Sequence, residues 1–581
     1  MAPGLARAAS AAKYWDGTMK RDDSSIKFKP LEDNIPKGGE LYDYLAQKEE
    51  TGIRPAVRAP QRLAQAGTPR FETFPKTLLL MPPITLSEGT VKRVIPPLGL
   101  AYIGGVLKQH DVPFEILDCV AEGLDREQYI SDKTWMYGLD DDAIGARLEE
   151  IDADVVGISI IYSSDLHSLF RLARLAKQVK PDVVVVVGGI HCTIYPREVL
   201  TESAELWDDS IDYVIRGEGE YRLLEFLNNL AAGNIDLNAD GLCGYHDGGM
   251  FINPQIEVIE DLDALPLPAY DKLPMESYFD FNVPFSPFPR GKRVMQIYTS
   301  RGCPIGCTFC ASTNFNKRYR HRSPDNVMAE IEHYRATYGI DEIQFADDNL
   351  TFNRSRALEL FTKLKDRGLQ WCTPNGIMVD TLTKPMLDLM IGSGLYQITL
   401  SIDSGSAKVL KSDHRKPVDL SKVPDLAAYL KERNILIHAT LVVGMPGETV
   451  ADIDDGFRFV TGLPLNSIGV FIAQALPGSE LYEKAIFSGQ ISKADGRIID
   501  TAQGSHMISS IERDVLEKKI SDFLYSYNMR IRERDPIPWE LKYRAHKDRL
   551  ATITIGNAAP NTDGITRAAQ PAPAEILNLP V

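Results

Sequence analysis

The sequence predicts an α/β protein, a Rossmann-like open sheet followed by a partial (β/α)6 barrel of TIM type. Three observations carry this expectation. Between Lys76 and Leu230, short apolar runs closed by Gly, Pro or polar turns alternate with helix-period segments, the pattern of parallel strands buried on both faces. A second alternation starts at Val294 and supplies about six strand–helix units. At 581 residues the chain is too long for one compact core, so two or three domains are expected.

Residues 1–74 mix Ala, Pro, Lys and Asp without a sustained period. They are expected to be an arm, partly disordered, with a short helix over Glu40–Glu50 at most. The Rossmann-like domain is set at 75–260. Its strands are expected at Thr77–Met81 (closed by Pro82-Pro83), Phe114–Leu117, Asp154–Ile161, Asp182–Val187 and Tyr213–Ile215. Helices are expected from Pro97, over a segment bearing Leu166, Leu169, Phe170, Leu172 and Leu175, and at Leu223–Leu230. Ligands of such sheets sit at the carboxyl ends of the strands. The turns located there are Ser159–Ser164, Gly188-Gly189-Ile190-His191 and Gly217-Glu218-Gly219. Taken alone, Gly188 and Gly189 can simply permit a tight turn, and His191 can be a surface histidine.

Residues 261–290, rich in Pro and Phe, are expected to link the domains. The barrel is set at 291–490. Its strands are expected at Val294–Thr299, Glu342–Ala346, Gln370–Thr373, Gln397–Ile402, Ile435–Val443 and Ser467–Ala473, separated by helices. Ser323-Pro324 is a plausible N-cap and first helical residue for the helix after the first strand. Residues 491–557 are expected to form a helical C-terminal region, with an amphipathic helix over Asp514–Arg534, and 558–581 are an Ala-, Pro- and Asn-rich tail expected to be disordered.

The most specific motif follows the first barrel strand: Cys303, Cys307 and Cys310 in a C-x3-C-x2-C spacing. Three thiolates on so short a loop can hold one [4Fe–4S] cluster and leave its fourth iron open to a small molecule. A structural zinc site would want four closed ligands, often as paired C-x2-C units. The remaining cysteines, Cys119, Cys192, Cys243 and Cys372, are scattered singly. At the carboxyl ends of the other barrel strands stand Asp347-Asp348-Asn349, Asn375-Gly376, Asp403-Ser404-Gly405, Gly444-Met-Pro-Gly-Glu448 and Gln474. The acidic group at 347–349 can equally cap the helix that follows it.

A formal charge of −16 argues against a general nucleic-acid or membrane-surface binder. No apolar run approaches the ~20 residues needed to span a bilayer, and the N-terminus has no hydrophobic signal core. Seven cysteines in a chain this long make no disulfide framework and suit a reducing cytoplasm.

The cysteine spacing, with aromatic Phe309 just before the last cysteine, resembles the radical S-adenosylmethionine (SAM) enzymes. Upstream, the order Pro97-Leu-Gly-Leu-Ala-Tyr-Ile-Gly, Gly188-Gly-Ile-His, Arg216-Gly-Glu-Gly-Glu and Leu265-Pro-Leu-Pro-Ala-Tyr-Asp resembles the cobalamin-binding domain of class B members. The whole resembles the cobalamin-dependent radical SAM methyltransferases, in particular those that methylate phosphonates and phosphinates in antibiotic biosynthesis. The D-x-H-x-x-G motif of many cobalamin proteins is missing, and Asp165-Leu-His167 matches it only in part, after the wrong strand. The lower axial ligand of cobalt is therefore not identified.

The resemblance implies three cofactors: a [4Fe–4S] cluster on Cys303, Cys307 and Cys310, SAM, and cobalamin working as methylcobalamin. It implies SAM contacts for Phe309, Asp347, Asp348, Asp403 and Gly444, and cobalamin contacts for Gly188, Gly189, His191, Gly217 and Glu218. Relatives often carry Glu where Asp403 stands. A small-molecule substrate and a reducing partner such as flavodoxin or ferredoxin are also implied. An anionic substrate would need basic donors, and Lys317, Arg318, Arg320 and Arg322 are the nearest supply. Without the methyl step, the same parts would serve a rearrangement, cyclisation or oxidation; without radical cleavage of SAM, a methylase that uses cobalamin alone; and without either, a non-catalytic carrier of corrinoid and cluster.

Overall fold

The computed structural model describes residues 73–535 except 88–91, 132–133, 256, 284, 287–288, 313–317 and 492–506. The expected N-terminal arm with its Glu40–Glu50 helix, Lys317 and the C-terminal tail lie outside the described residues.

The upstream half contains β1 (Thr77–Met81), β2 (Ile84–Ser87), β3 (Phe114–Asp118), β4 (Glu127–Ser131), β5 (Thr134–Tyr137), β6 (Val155–Ile160), β7 (Val184–Gly189), β8 (Tyr213–Ile215), β9 (Leu242–His246) and β10 (Gly249–Ile252). Seven of these form one sheet in the order β10-β9-β8-β7-β6-β1-β3. The stretch from β8 to β3 is parallel, and β9 and β10 add an antiparallel edge. Alternation along each strand divides the core. Leu79, Val155, Val184 and Val186 pack against helices Leu98–Gln109 and Gly219–Ala231. Leu78, Leu80, Val156, Ile158, Val185 and Val187 pack with helices Asp141–Ile151, Leu166–Val179 and Pro196–Leu206. Both faces are covered, which is why the strands read as nearly continuous apolar runs.

Strand order reverses between β1 and β6, the position at which ligands bind in doubly wound sheets. Two parts of this half escape sequence patterning. The β9–β10 hairpin and the small antiparallel sheet β2-β5-β4 owe their strands to pairing more than to apolar alternation, since Glu127-Gln-Tyr-Ile-Ser131 is largely polar.

The described residues of 261–290, expected as a connector, pack closely. They carry two 3-10 turns and the helix Met275–Phe281, with Tyr270, Tyr278 and Phe279 at 2%, 5% and 6% exposure. The Tyr270 ring lies 5.3 Å from that of Tyr334 in the barrel's first helix, Pro324–Tyr338. The Tyr278 hydroxyl donates to Asp118 at the end of β3 at 2.6 Å.

The downstream half begins with β11 (Val294–Ile297) and the short antiparallel pair β12 (Ser300–Arg301) and β13 (Arg320–His321). Then follow β14 (Glu342–Phe345), β15 (Gln370–Ile377), β16 (Leu395–Asp403), β17 (Leu436–Val443) and β18 (Ser467–Ile472). The six long strands run parallel in the order β11-β14-β15-β16-β17-β18, the open partial barrel expected. Met295, Ile297, Ile343, Ile398, Leu400, Ile437 and Ala439 face the helices. The alternate positions Gln296, Gln344, Gln397 and Thr399 therefore face the lumen. The helix Arg513–Arg534 packs across the last units through Leu516, Ile520 and Leu524, and Phe523 stacks on Phe457 at 3.9 Å. Among the described residues no helix is long and apolar enough to cross a membrane.

Candidate functional site

The cysteine loop leaves the carboxyl end of β11. Gly302 and Gly306 take positive φ (90° and 80°), which lets the loop double back, and a Cβ at Gly306 would meet nothing within 4 Å. Cys303, Cys307 and Cys310 are free thiols of intermediate exposure. Burial raises the pKa of Cys303 and pushes that of Cys307 up to about 12, with Lys416 opposing the rise at Cys307. Among the described residues no three His, Cys, Asp or Glu side chains are gathered to chelate a single ion. A cubane cluster asks for a different arrangement, with one thiolate for each of three irons. Three neighbouring thiols on one loop fit it, and a cationic centre would supply the charge that burial withholds from the thiolates.

The loop is held by an element that the residue pattern did not single out. Leu410–His414 winds as a π-helical turn, a form that recurs at functional sites. Thr308 N–H donates to the His414 carbonyl at 3.2 Å, and Thr308 Oγ1 to the Asp413 carbonyl at 2.5 Å. The Phe309 ring meets the fully buried His414 edge-on at 5.2 Å. Burial lowers the His414 pKa to about 4, so the ring is neutral near pH 7. Just beyond, Lys416 donates to Asp403 Oδ2 at 2.5 Å, and Asp413 accepts from Gly447 N–H at 3.0 Å. One seven-residue segment thus ties the cysteine loop to the ends of β16 and β17.

The acidic group after β14 does not cap the next helix, whose N-cap is Asn353. Asp347 is buried and accepts from Thr299 N and Oγ1 and from Ser300 Oγ, locking the root of the cysteine loop. Burial raises its pKa. Asp348 is exposed and accepts from the Gly302 N–H. Its pKa is raised by the surrounding protein and by the Asp347 charge. Of the two, Asp348 is the carboxylate facing outward beside the thiols.

Asp403 closes β16 with a φ of 61°, and besides Lys416 it accepts weakly from Thr440 Oγ1 at 3.4 Å. In the turn after β17, Gly444 has a φ of 83°, and its N–H and that of Met445 donate to Glu448, at 2.5 and 3.2 Å. Burial lifts the Glu448 pKa to about 7. The lumen itself is polar. Gln296 Nε2, Gln344 Oε1 and Asn349 Oδ1 are buried without a protein partner, and Gln296 and Gln344 sit side by side in register. The glutamines at inward strand positions were the available signal for this lining.

In the upstream sheet, Gly188 and Gly189 end β7. Gly189 has a φ of 101°, and a Cβ there would lie 1.9 Å from the Ile160 carbonyl oxygen. His191 is no surface histidine. It is 4% exposed, its Nδ1 is 2.8 Å from Ser163 Oγ, and its ring lies 5.3 Å from Tyr195. At the order reversal, Ile161 and Tyr162 leave 47% and 54% of their surface open, although both are large and apolar. Asp165, whose N–H donates to the Tyr162 carbonyl at 3.1 Å, is 3% exposed, with Oδ1 unpartnered and a pKa raised to about 7 by burial. An uncovered apolar shelf beside an orphaned polar atom fits a large flat cofactor such as a corrin. His167 packs against Trp207 at 5.2 Å. Ser163, next to Tyr162, meets His191, and Tyr195 beside His191 packs with Phe309 of the cysteine loop against one cluster that includes Met445, Leu481 and Tyr482, so the shelf and the cysteine loop share one neighbourhood.

Two sets of groups expected to meet ligands have protein partners. Glu218, expected at a cofactor, has both carboxylate oxygens engaged by Arg301, Arg320 and the Ile259 N–H, and Gly217 N–H donates to Thr193 Oγ1 at 2.9 Å. The basic stretch expected to receive an anion is also engaged. Arg318 pairs with Glu260, and Arg322 with Glu330, Asn326 and the Tyr298 carbonyl.

Residues 87–227 match the model of the B12 binding domain, and residues 297–460 that of the radical SAM superfamily. The chain is 34% identical over 466 residues to the cytidylyl-2-hydroxyethylphosphonate methyltransferase of Streptomyces wedmorensis, covering 75% of this chain and 86% of that protein. Among solved structures it is similar to the radical SAM methyltransferase TsrM of Kitasatospora setae with cobalamin and [4Fe–4S] cluster bound, with a TM-score of 0.55, 17% identity, and 70% and 74% of the two chains covered. It is also similar to the cobalamin-dependent SAM radical enzyme OxsB with aqua-cobalamin and SAM bound, with a TM-score of 0.58, 14% identity, and 82% and 71% covered. At those identities the two structures speak for the fold.

Proposed function

The chain belongs to the cobalamin-dependent radical SAM methyltransferases, and from that premise we propose that it methylates an unactivated carbon or phosphorus of a natural-product intermediate, with phosphonates and phosphinates the first class to try. One observation carries the reading. A three-thiol loop at the head of a partial barrel shares its surroundings, through His191, Tyr195 and Phe309, with the apolar shelf at the order reversal of the upstream sheet. The phosphonate substrate named for the Streptomyces relative supports the substrate class.

When bound, a [4Fe–4S] cluster, SAM and cobalamin supply the one-electron and methyl-carrying chemistry. The chain holds and orients them. Cys303, Cys307 and Cys310 would each take one iron. Asp348, exposed beside the loop, would meet the polar end of SAM, with Asp347 fixing the strand end behind it. The Asp403–Lys416 pair presents both charges at the end of β16, and Phe309 and the Gly444 turn offer an apolar ring and close backbone approach. Gly188, Gly189 and His191 would seat the corrin, and Gln296, Gln344 and Asn349 leave donor and acceptor capacity for a polar substrate in the lumen. A flavodoxin or ferredoxin would deliver electrons in a reducing cytoplasm.

The test is an anaerobic reaction of reconstituted protein with methyl-labelled SAM, a reductant and cytidylyl-2-hydroxyethylphosphonate, followed by phosphinates. Label in the product with one 5′-deoxyadenosine per turnover is the expected result, and none of either with Cys303→Ala. Deoxyadenosine without label would indicate a non-methylating reaction, and neither product would indicate a carrier.

A further inference from the structure

The turn Arg216-Gly-Glu-Gly-Glu220 stands at the carboxyl end of β8, where a cofactor contact was expected, yet its carboxylates reach across to the barrel. Arg301 donates to Glu218 at 2.8 Å and to Glu220 at 2.6 Å. Arg320 donates to the other Glu218 oxygen at 2.7 Å and to the Ile259 carbonyl at 2.6 Å. The four side chains of Arg301, Glu218, Glu220 and Arg320 are 18%, 11%, 6% and 4% exposed. Arg301 also lies over the Tyr102 ring at 5.3 Å, on the helix Leu98–Gln109.

Both arginines belong to the β12–β13 pair, in register with each other. Arg301 is two residues from Cys303, and the intervening Gly302 N–H is held by Asp348. The upstream sheet is therefore bolted to the root of the cysteine loop by buried charges. Buried ion pairs are poor sources of net stability because desolvation offsets their attraction, but they accept few geometries. A guanidinium fork across two carboxylates is among the most restrictive.

We propose that Glu218, Glu220, Arg301 and Arg320 form an interdomain clamp, with Arg301 and Glu220 acting as positioning residues that hold the cysteine loop in register with the upstream sheet. This rests on the function proposed above, for which one substrate would have to reach both the cofactor at the cysteine loop and the methyl carrier seated on the upstream sheet. Misplacement by about 1 Å can cost such a step about a hundredfold. A loosened clamp leaves SAM cleavage intact and uncouples it from methyl transfer.

The experiment uses the full chain, reconstituted anaerobically with cluster and cobalamin. Pulsed EPR of the cob(II)alamin–reduced cluster pair reads the distance distribution without any substrate. Methylated product per deoxyadenosine is then measured with cytidylyl-2-hydroxyethylphosphonate. For Glu220→Gln we expect deoxyadenosine formation close to wild type, a broadened distance distribution, and about tenfold less product per deoxyadenosine. Arg301→Lys, which keeps the charge and loses the fork, falls between. An unchanged distribution in both variants overturns the clamp, as does an equal fall of deoxyadenosine and product. Should Glu220→Gln fail to fold, Arg301→Lys and Glu220→Asp carry the same comparison. Absence of methylated product from the wild type would instead count against the proposed function, and the distance distribution would still decide the clamp.

Discussion

Asp118 shows how one buried group at the domain junction makes stability depend on pH. Its carboxylate accepts from Val120 N–H at 2.9 Å, Ala121 N–H at 3.1 Å and the Tyr278 hydroxyl at 2.6 Å. Burial nonetheless outweighs those bonds and raises its pKa from 3.8 to about 6. The folded state therefore holds this proton more tightly than the unfolded chain does. The stabilising contribution of the protonated form is complete below about pH 3.8 and is lost as pH rises through about 6. The lost contribution is of the order of 3 kcal/mol. Asp118→Asn keeps an acceptor for the two backbone donors and carries no charge. It is expected to raise the unfolding free energy above pH 7, leave it nearly unchanged near pH 4, and flatten the profile between. Denaturant titrations at several pH values check this, and parallel profiles for the two proteins would show that Asp118 is not the titrating group.

The elements most legible in the sequence are those buried on both sides. Val184-Val-Val-Val could only be a central strand, and β1, β6 and all six barrel strands fall within a few residues of their expected places. The edge hairpin β9–β10 and the polar β4 were not legible, because strand identity there comes from the neighbour. The cysteine loop and the carboxylates at strand ends were also visible. The braces were not: Lys416, His414 and the π-turn act through contacts some hundred residues away from Thr308. For the same reason the pairing of Glu218 with Arg301 and Arg320 was not legible.

Two glycines make this dependence on surroundings measurable. Gly189 and Gly306 both have positive φ. A methyl at Gly189 would collide with the Ile160 carbonyl at the last rung of the β6–β7 ladder, whereas at Gly306 it points into open space. Gly306→Ala should cost about 1–2 kcal/mol of backbone strain, and Gly189→Ala about 2–4 kcal/mol as strand pairing gives way. Cobalamin retention should fall only in the latter. Thermal unfolding and the corrinoid spectrum after gel filtration read both effects, and equal losses would mean that the contact with Ile160 relaxes without consequence.

The whole molecule is less divided than its two sheets suggest. One apolar cluster runs from Leu79 and Val186 through Tyr270, Tyr278 and Phe279 to Met295, Ile343 and Leu441, and on to Ile520 and Leu524 of the last helix. Residues of the 261–281 stretch lie within it, with Tyr270 at 2% exposure against Tyr334. Domains that share a core in this way should not melt independently. The protein is therefore expected to unfold in a single calorimetric transition. Tyr270→Ala, which removes a buried aromatic, should cost about 3–5 kcal/mol. Because the cavity lies in the shared core, it should lower the midpoint of both halves together. Hydrogen exchange resolves this: β6 and β7 upstream and β16 and β17 downstream should lose protection in parallel. A variant in which the barrel strands alone open, while the upstream sheet keeps its protection, would show two cores in contact instead of one.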